Sequence, residues 1–178
     1  MEIIINIPVL NETYYKCLYI NQNICKINGN LIKFNSFDNV FPHITLKMGK
    51  VKDNNISNII KVLEDYFINK YKMEFNTTDV ILKEPNNKYY FVEIDDDRLM
   101  KISSDLDELL RDFMEDSEFV FSKNNLHHIT LGRRHSDDEK VANVDLLNVG
   151  KVFADRIYVS LKGKYGVCLN ILKVINLN

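Results

Sequence analysis

The chain carries the tetrapeptide His-Ile-Thr-Leu twice, as His43-Ile44-Thr45-Leu46 and as His128-Ile129-Thr130-Leu131, although it holds only four histidines in 178 residues. An imidazole with its ordinary pKa near 6.5 takes up or gives up a proton close to neutral pH. Two of them brought across one groove can divide the cleavage of a phosphodiester. One removes a proton from the attacking oxygen and the other protonates the leaving oxygen. A threonine hydroxyl beside each ring can donate a hydrogen bond to a non-bridging phosphate oxygen as charge develops there. The nucleophile of such chemistry is a ribose hydroxyl or a water, so it calls for no metal, no cofactor and no Ser, Cys or Lys nucleophile.

Each tetrapeptide reads as a strand entering a turn. In an extended strand successive side chains point to opposite faces, so histidine and threonine share one face while isoleucine and leucine share the other. Taken singly, each histidine is better explained as a structural one; paired with its threonine, catalysis is favoured. His127, if its strand is regular, points to the opposite face and reads as a core or interface histidine. A zinc site built from His43, His127, His128 and an acid has no helical HxxxH or paired-cysteine spacing behind it. Asp95-Asp96-Asp97 and Asp137-Asp138-Glu139 read as helix starts favoured by the helix dipole, not as calcium or magnesium sites. Two further groups are candidates for substrate binding. Lys162, Lys164 and Tyr165 form a basic and aromatic cluster able to take a nucleotide by charge and stacking, or a solvated turn. Arg133-Arg134-His135-Ser136 is either a solvated loop or one whose arginines clamp phosphate.

Composition bounds the partners. With 46% hydrophobic and 27% charged residues, the chain is expected to fold as one globular unit over residues 1–178. A net charge of -2 does not suit a protein that neutralises a long duplex, but leaves a nucleotide or short oligonucleotide open. Cys17, Cys25 and Cys168 are odd in number and lack a C-x-x-C pair, pointing to reduced, buried thiols in a cytosolic setting. The apolar opening is short, carries Glu2 and ends at Pro8, so it reads as a strand and not a signal, and no run reaches the 20 or so apolar residues of a membrane helix. A cytoplasmic monomer is expected.

The elements that must position the motifs follow from periodicity. Residues 2 to 9 read as a buried strand, and a helix capped by Asn11 or Thr13 carries Tyr15, Leu18, Tyr19 and Ile24. Asn28-Gly29-Asn30 marks a turn, Leu31 to Phe34 is extended, and Pro42 fixes the conformation leading into the first motif. Asp53 reads as the cap of an amphipathic helix through Ile56, Ile59, Ile60, Leu63, Tyr66 and Phe67. Glu74 to Leu82 and Tyr89 to Ile94 read as strands around the turn Glu84-Pro85-Asn86-Asn87. A second amphipathic helix capped near Asp96 carries Leu99, Ile102, Leu106, Leu109, Leu110 and Phe113, and Phe119 to Phe121 is a further strand. Arg156 to Leu161 and Val167 to Ile175 close the chain as a hairpin around Gly163 and Gly166. The whole reads as α+β, in two halves that each supply one motif strand.

Two His-x-Thr motifs, each followed by an apolar residue and placed in opposite halves, resemble those of the two-histidine (2H) phosphoesterase superfamily, and Phe41-Pro42-His43-Ile44-Thr45-Leu46 is especially close. The resemblance implies a bilobal duplicated α+β fold, with antiparallel sheets lining a central groove and helices outside. It further implies catalysis by His43 and Thr45 from one side and His128 and Thr130 from the other, without a metal. A C-terminal aromatic of the superfamily falls at Tyr165, implying a base or ribose pocket. Where a proline commonly precedes the second motif, His127 stands instead. The implied substrates are 2′-5′ linkages, 2′,3′-cyclic phosphates or cyclic oligonucleotides. The alternatives are an RNA or nucleotide binding module without turnover and 2′-5′ end joining of RNA.

Overall fold

The computed structural model describes residues 1–28, 31–35, 40–52, 55–83, 89–115, 121–122, 125–133 and 149–178. In chain order these form β1 (Glu2–Pro8), α1 (Asn11–Asn28), β2 (His43–Lys50), α2 (Ile56–Phe67), β3 (Met73–Asn76), β4 (Val80–Lys83), β5 (Tyr89–Ile94), α3 (Asp97–Leu109), β6 (His127–Arg133), β7 (Lys151–Ala154), β8 (Arg156–Lys162) and β9 (Cys168–Asn176). Seven strands make one sheet in the order β4-β5-β6-β2-β1-β8-β9, and β3 pairs with β7 in a second. Every pairing is antiparallel. The architecture is α+β, and its large sheet joins strands from the two ends of the chain, β2-β1-β8-β9, to strands from its middle, β4-β5-β6, at the two motif strands, β2 and β6.

The apolar run of β1 follows from its position. Ile3, Ile4, Ile5 and Ile7 have no exposed surface, because β1 lies between β2 and β8 with both faces covered. On α2, Ile59, Leu63 and Phe67 recur every fourth residue and are fully buried, each stabilising the fold by about 2 kcal/mol, and the helix packs on β9. The α3 helix starts at Asp96, whose carboxylate accepts from the Arg98 N–H, and buries Leu99, Ile102, Ser103 and Leu106 against β2. Cys17 and Cys168 are buried, and burial raises both thiols above their ordinary range.

Several expectations are corrected. On α1 the inward face is Tyr14, Cys17, Ile20, Asn21 and Ile24, while Tyr15 and Tyr19 are 63% and 57% exposed. Both stripes fit the helical period, and the polar Asn21 decides between them: its side chain donates to the carbonyls of Ile32 and Leu131 and accepts from the Phe34 N–H. Thr13 does not cap the helix but donates to the Lys151 carbonyl. The expected strand from Glu74 to Leu82 is broken into β3 and β4, in different sheets, because Thr77 turns to the Gly150 carbonyl and Thr78 to Glu93 of β5. Leu31 to Phe34, expected to be extended, pairs in no ladder. Strand β7 gave no sequence signal that stood out. Asp53, Gly29, Asn30, Glu84 to Asn87, Phe119 and residues 134–148 lie outside the described residues.

Candidate active site

Strands β2 and β6 are registered through Ile44 opposite Ile129, and both isoleucines are sealed in the core. One residue further along an antiparallel ladder in each direction, His43 stands opposite Thr130 and Thr45 opposite His128. Directly opposed residues share a face, so all four half-buried side chains occupy the face that the isoleucines do not. Opposed pairs have Cβ atoms about 5 Å apart and diagonal pairs about 7–8 Å. The two imidazoles therefore take one diagonal of a rectangle and the two hydroxyls the other.

The rings are aimed in the same way. His43 Nδ1 lies 3.0 Å from the Phe41 carbonyl, and His128 Nδ1 lies 3.0 Å from the Leu126 carbonyl, two residues upstream in each case. A carbonyl only accepts, so each Nδ1 carries the proton and each neutral ring keeps its lone pair on Nε2. Desolvation pushes His43 down to about 4, and the Coulombic effect of His128 adds to this, while the Phe41 and Gly166 carbonyls act in the opposite direction. The Phe41 ring stands edge-on to His43 and to Tyr158, 5.8 Å away in both contacts.

Strand β5 extends the same face. Its register sets Glu93 opposite His128, Phe91 opposite Thr130 and Tyr89 opposite Arg133. The Phe91 ring lies against His128 at 4.0 Å and is stacked with Tyr89 at 5.5 Å. The Arg133 guanidinium lies 5.3 Å from the Tyr89 ring and 4.1 Å from Tyr165, so it is held between two aromatic faces. The result is an unbroken row, His128, Phe91, Tyr89, Arg133 and Tyr165, leading away from the histidine pair. Tyr165 sits in a single 3-10 turn, Lys164–Gly166, with φ of 62°, a left-handed conformation that costs a tyrosine energy and is held by its neighbours. The Lys164 ammonium, 5.0 Å from the Tyr165 ring, lowers the phenol pKa together with Arg133.

Of the residues singled out by sequence, the fold thus gathers His43, Thr45, His128, Thr130, Arg133 and Tyr165, with Lys164 on the rim. It does not gather Lys162, whose ammonium binds the Glu2 carboxylate at 3.2 Å. Glu2 is at the opposite end of β1 from Pro8, the partner of His43. Arg134 and His135 lie outside the described residues. His127 is fully buried on the core face, away from His43 and His128, so the three cannot share a metal. Among the described residues no group of three or more His, Cys, Asp or Glu is placed to hold one.

Sequence reasoning passed over Tyr89, Phe91, Glu93 and Asn6. The first three share one face of β5, while Tyr90, Val92 and Ile94 share the other, but Phe91 is buried as well, so the strand shows no clean alternation in its sequence. Only the pairing with β6 tells which stripe meets the histidines. Asn6 interrupts the isoleucines of β1 and stands opposite Thr45, fully buried.

A seven-stranded antiparallel sheet joined at two His-x-Thr strands, with its helices packed on the strands behind, is the 2H phosphoesterase-like fold. Solved structures share it over the whole chain. TT0787 of Thermus thermophilus superposes with a TM-score of 0.73 at 13% identity, covering 99% of this chain and 98% of that one. E. coli LigT complexed with 3′-AMP gives 0.70 at 14% identity, covering 99% and 98%. Kluyveromyces marxianus Usb1 gives 0.58 at 10% identity, covering 99% and 97%. No protein-family model matches the chain, and no curated protein matches it in sequence. No helix among the described residues is long and apolar enough to cross a membrane.

Proposed function

We propose that this protein is a metal-independent phosphoesterase of the 2H type, acting on a nucleotide or short oligonucleotide at a 2′-5′ linkage, a 2′,3′-cyclic phosphate or a cyclic oligonucleotide. The observation that supports the reading is the registered pair Ile44 and Ile129, which sets two imidazoles and two hydroxyls on one face of adjoining strands, each ring held at Nδ1 by a carbonyl two residues upstream. A phosphate seated there meets Thr45 and Thr130 as donors to its non-bridging oxygens. One histidine takes the proton of the attacking ribose hydroxyl or water, and its partner, protonated on Nε2, gives a proton to the departing oxygen. Formation of the cyclic phosphate and its opening by water are the same constellation run in two directions, so the substrate sets which ring is acid.

The row from Phe91 to Tyr165 supports a nucleotide substrate. The part-exposed Tyr165 ring offers a face to a base, and Arg133, held against it, offers charge to a phosphate. The structure of LigT with 3′-AMP, in the same fold, agrees with a nucleotide of this size. We further take residues 1–178 as one domain of two intertwined lobes, working as a monomer in the cytoplasm.

The test is incubation of the protein with 2′,3′-cyclic nucleotides, 2′-5′ oligoadenylates and cyclic oligonucleotides in the presence of EDTA, beside His43→Ala and His128→Ala. Product from the parent chain and none from either variant is expected. Binding without product would instead make the protein a nucleotide-binding module, and joined RNA ends would make it a ligase.

A further inference from the structure

Behind the groove, on the core side of the sheet, lies a polar chain that the chemistry above does not use. Ser103 of α3 places its Oγ 2.8 Å from the Leu46 carbonyl of β2 and 2.7 Å from His127 Nε2 of β6. The carbonyl can only accept, so the hydroxyl proton goes to Leu46 and the serine oxygen accepts from His127 Nε2–H. Leu46 is the extra residue of a bulge, lying between Thr45, opposite Asn6, and Lys47, opposite Ile5, which frees its carbonyl from the β1 ladder. The His127 ring is stacked on Phe121 at 3.9 Å and 13°, and its Nδ1 is buried with no hydrogen-bond partner among the described residues. Serine and histidine at this spacing could suggest a nucleophile and its base. Ser103 is 3% exposed and His127 0%, and the hydroxyl proton is already donated, so no substrate reaches them.

We propose that His127 is a positioning residue: through Ser103 it ties β6 to β2 from behind and so holds His128 in place against His43. The ladder alone registers these two strands through one residue pair, Ile44 and Ile129. A slip of β6 along β2 would carry His128 and Thr130 away from their opposite numbers, and a misplacement of about 1 Å costs on the order of 10²-fold in rate. The buried chain resists that slip because breaking it strands two or three polar atoms out of reach of water. It also fixes His127 as the Nε2–H tautomer, the reverse of His43 and His128.

This inference rests on the phosphoesterase reading for its kinetic readout but not for its structural one. Long-range 1H–15N spectra of the free protein are expected to show one histidine protonated at Nε2 and two protonated at Nδ1 within the fold. Hydrogen exchange at the amides of residues 43–46 and 127–131 is expected to quicken in His127→Leu and in Ser103→Ala. It is expected to return toward the parent rate in His127→Gln, whose amide nitrogen can donate in the same place. With a turned-over substrate, His127→Leu and Ser103→Ala should each lower kcat by about tenfold or more at nearly constant KM. The double variant should be no worse than either, because both break one chain. Unchanged exchange in His127→Leu, or a His127→Gln variant no better than His127→Leu, overturns the proposal even if no substrate is found. Absence of turnover in the parent chain overturns the activity alone.

Discussion

Ile44 and Ile129 meet across the β2–β6 ladder with no surface exposed, and every group proposed for catalysis is one residue away from one of them. The apolar pair anchors each strand to the core while its neighbours face the groove. The rectangle of histidines and threonines is thus a consequence of ladder geometry, and the site inherits the rigidity of a sheet interior.

Removing either imidazole should lower kcat by about 10²- to 10⁴-fold, with His43→Ala and His128→Ala similar and the double variant little worse than either. Thr45→Val and Thr130→Val keep the β-branched shape and lose only the hydroxyl, and should cost about 10²-fold in kcat with folding intact. Steady-state kinetics on whichever cyclic or 2′-5′ substrate is cleaved checks both, and a Thr variant at parent rate removes the hydroxyls from the mechanism.

Arg133 is expected to act on binding. Arg133→Ala should raise KM about tenfold or more, and Arg133→Lys should recover little, since an ammonium keeps the charge but cannot fill the planar slot between Tyr89 and Tyr165. Tyr165→Phe should bind as the parent does, and Tyr165→Ala should not. Equal KM for lysine and arginine would show that charge alone matters.

His43 and His127 are both pushed down to about 4 by burial, from an ordinary value near 6.5. Above pH 6.5 these rings are neutral in folded and unfolded chains alike, so they give no slope. Between about 6.5 and about 4 the unfolded chain binds protons that the folded chain refuses, so stability falls as pH falls, by at most about 1.4 kcal/mol per unit for each ring. Melting temperature measured from pH 7.5 to 4.5 should be level at first and then decline, and His127→Gln should make the decline shallower. A profile unchanged by that substitution would contradict burial of a neutral His127.

Gly49 is a tight spot on β2. A Cβ there would stand 2.7 Å from the Glu115 carbonyl and 3.2 Å from the Met114 methyl, so backbone would have to move. Gly49→Ala should therefore destabilise the fold by about 1–3 kcal/mol, read as a lowered melting temperature, whereas Lys50→Ala next to it should cost far less.

The repeated tetrapeptide singled out His43, Thr45, His128 and Thr130 and the face they share, because alternation in a strand is a local property of the backbone. Helical spacing likewise revealed α2 and α3 and most of their buried residues, since each helix shows its core stripe in its own sequence. Where two stripes competed, as on α1, the inward face depended on what Asn21 could bond with, and those carbonyls belong to Ile32 and Leu131. The break between β3 and β4 was hidden for the same reason: Thr77 and Thr78 turn to partners distant in sequence. The row Phe91, Tyr89, Arg133 and Tyr165 comes from three separate strands or turns, and Lys162, adjacent in sequence to that cluster, went to Glu2. The sequence by itself determined the chemistry available and the face it would occupy, because residue type and period two are written locally. Only the tertiary structure decided that the two motifs adjoin, and which aromatic, cationic and core groups surround them, because pairing between strands far apart in the chain is set by the burial of the whole core.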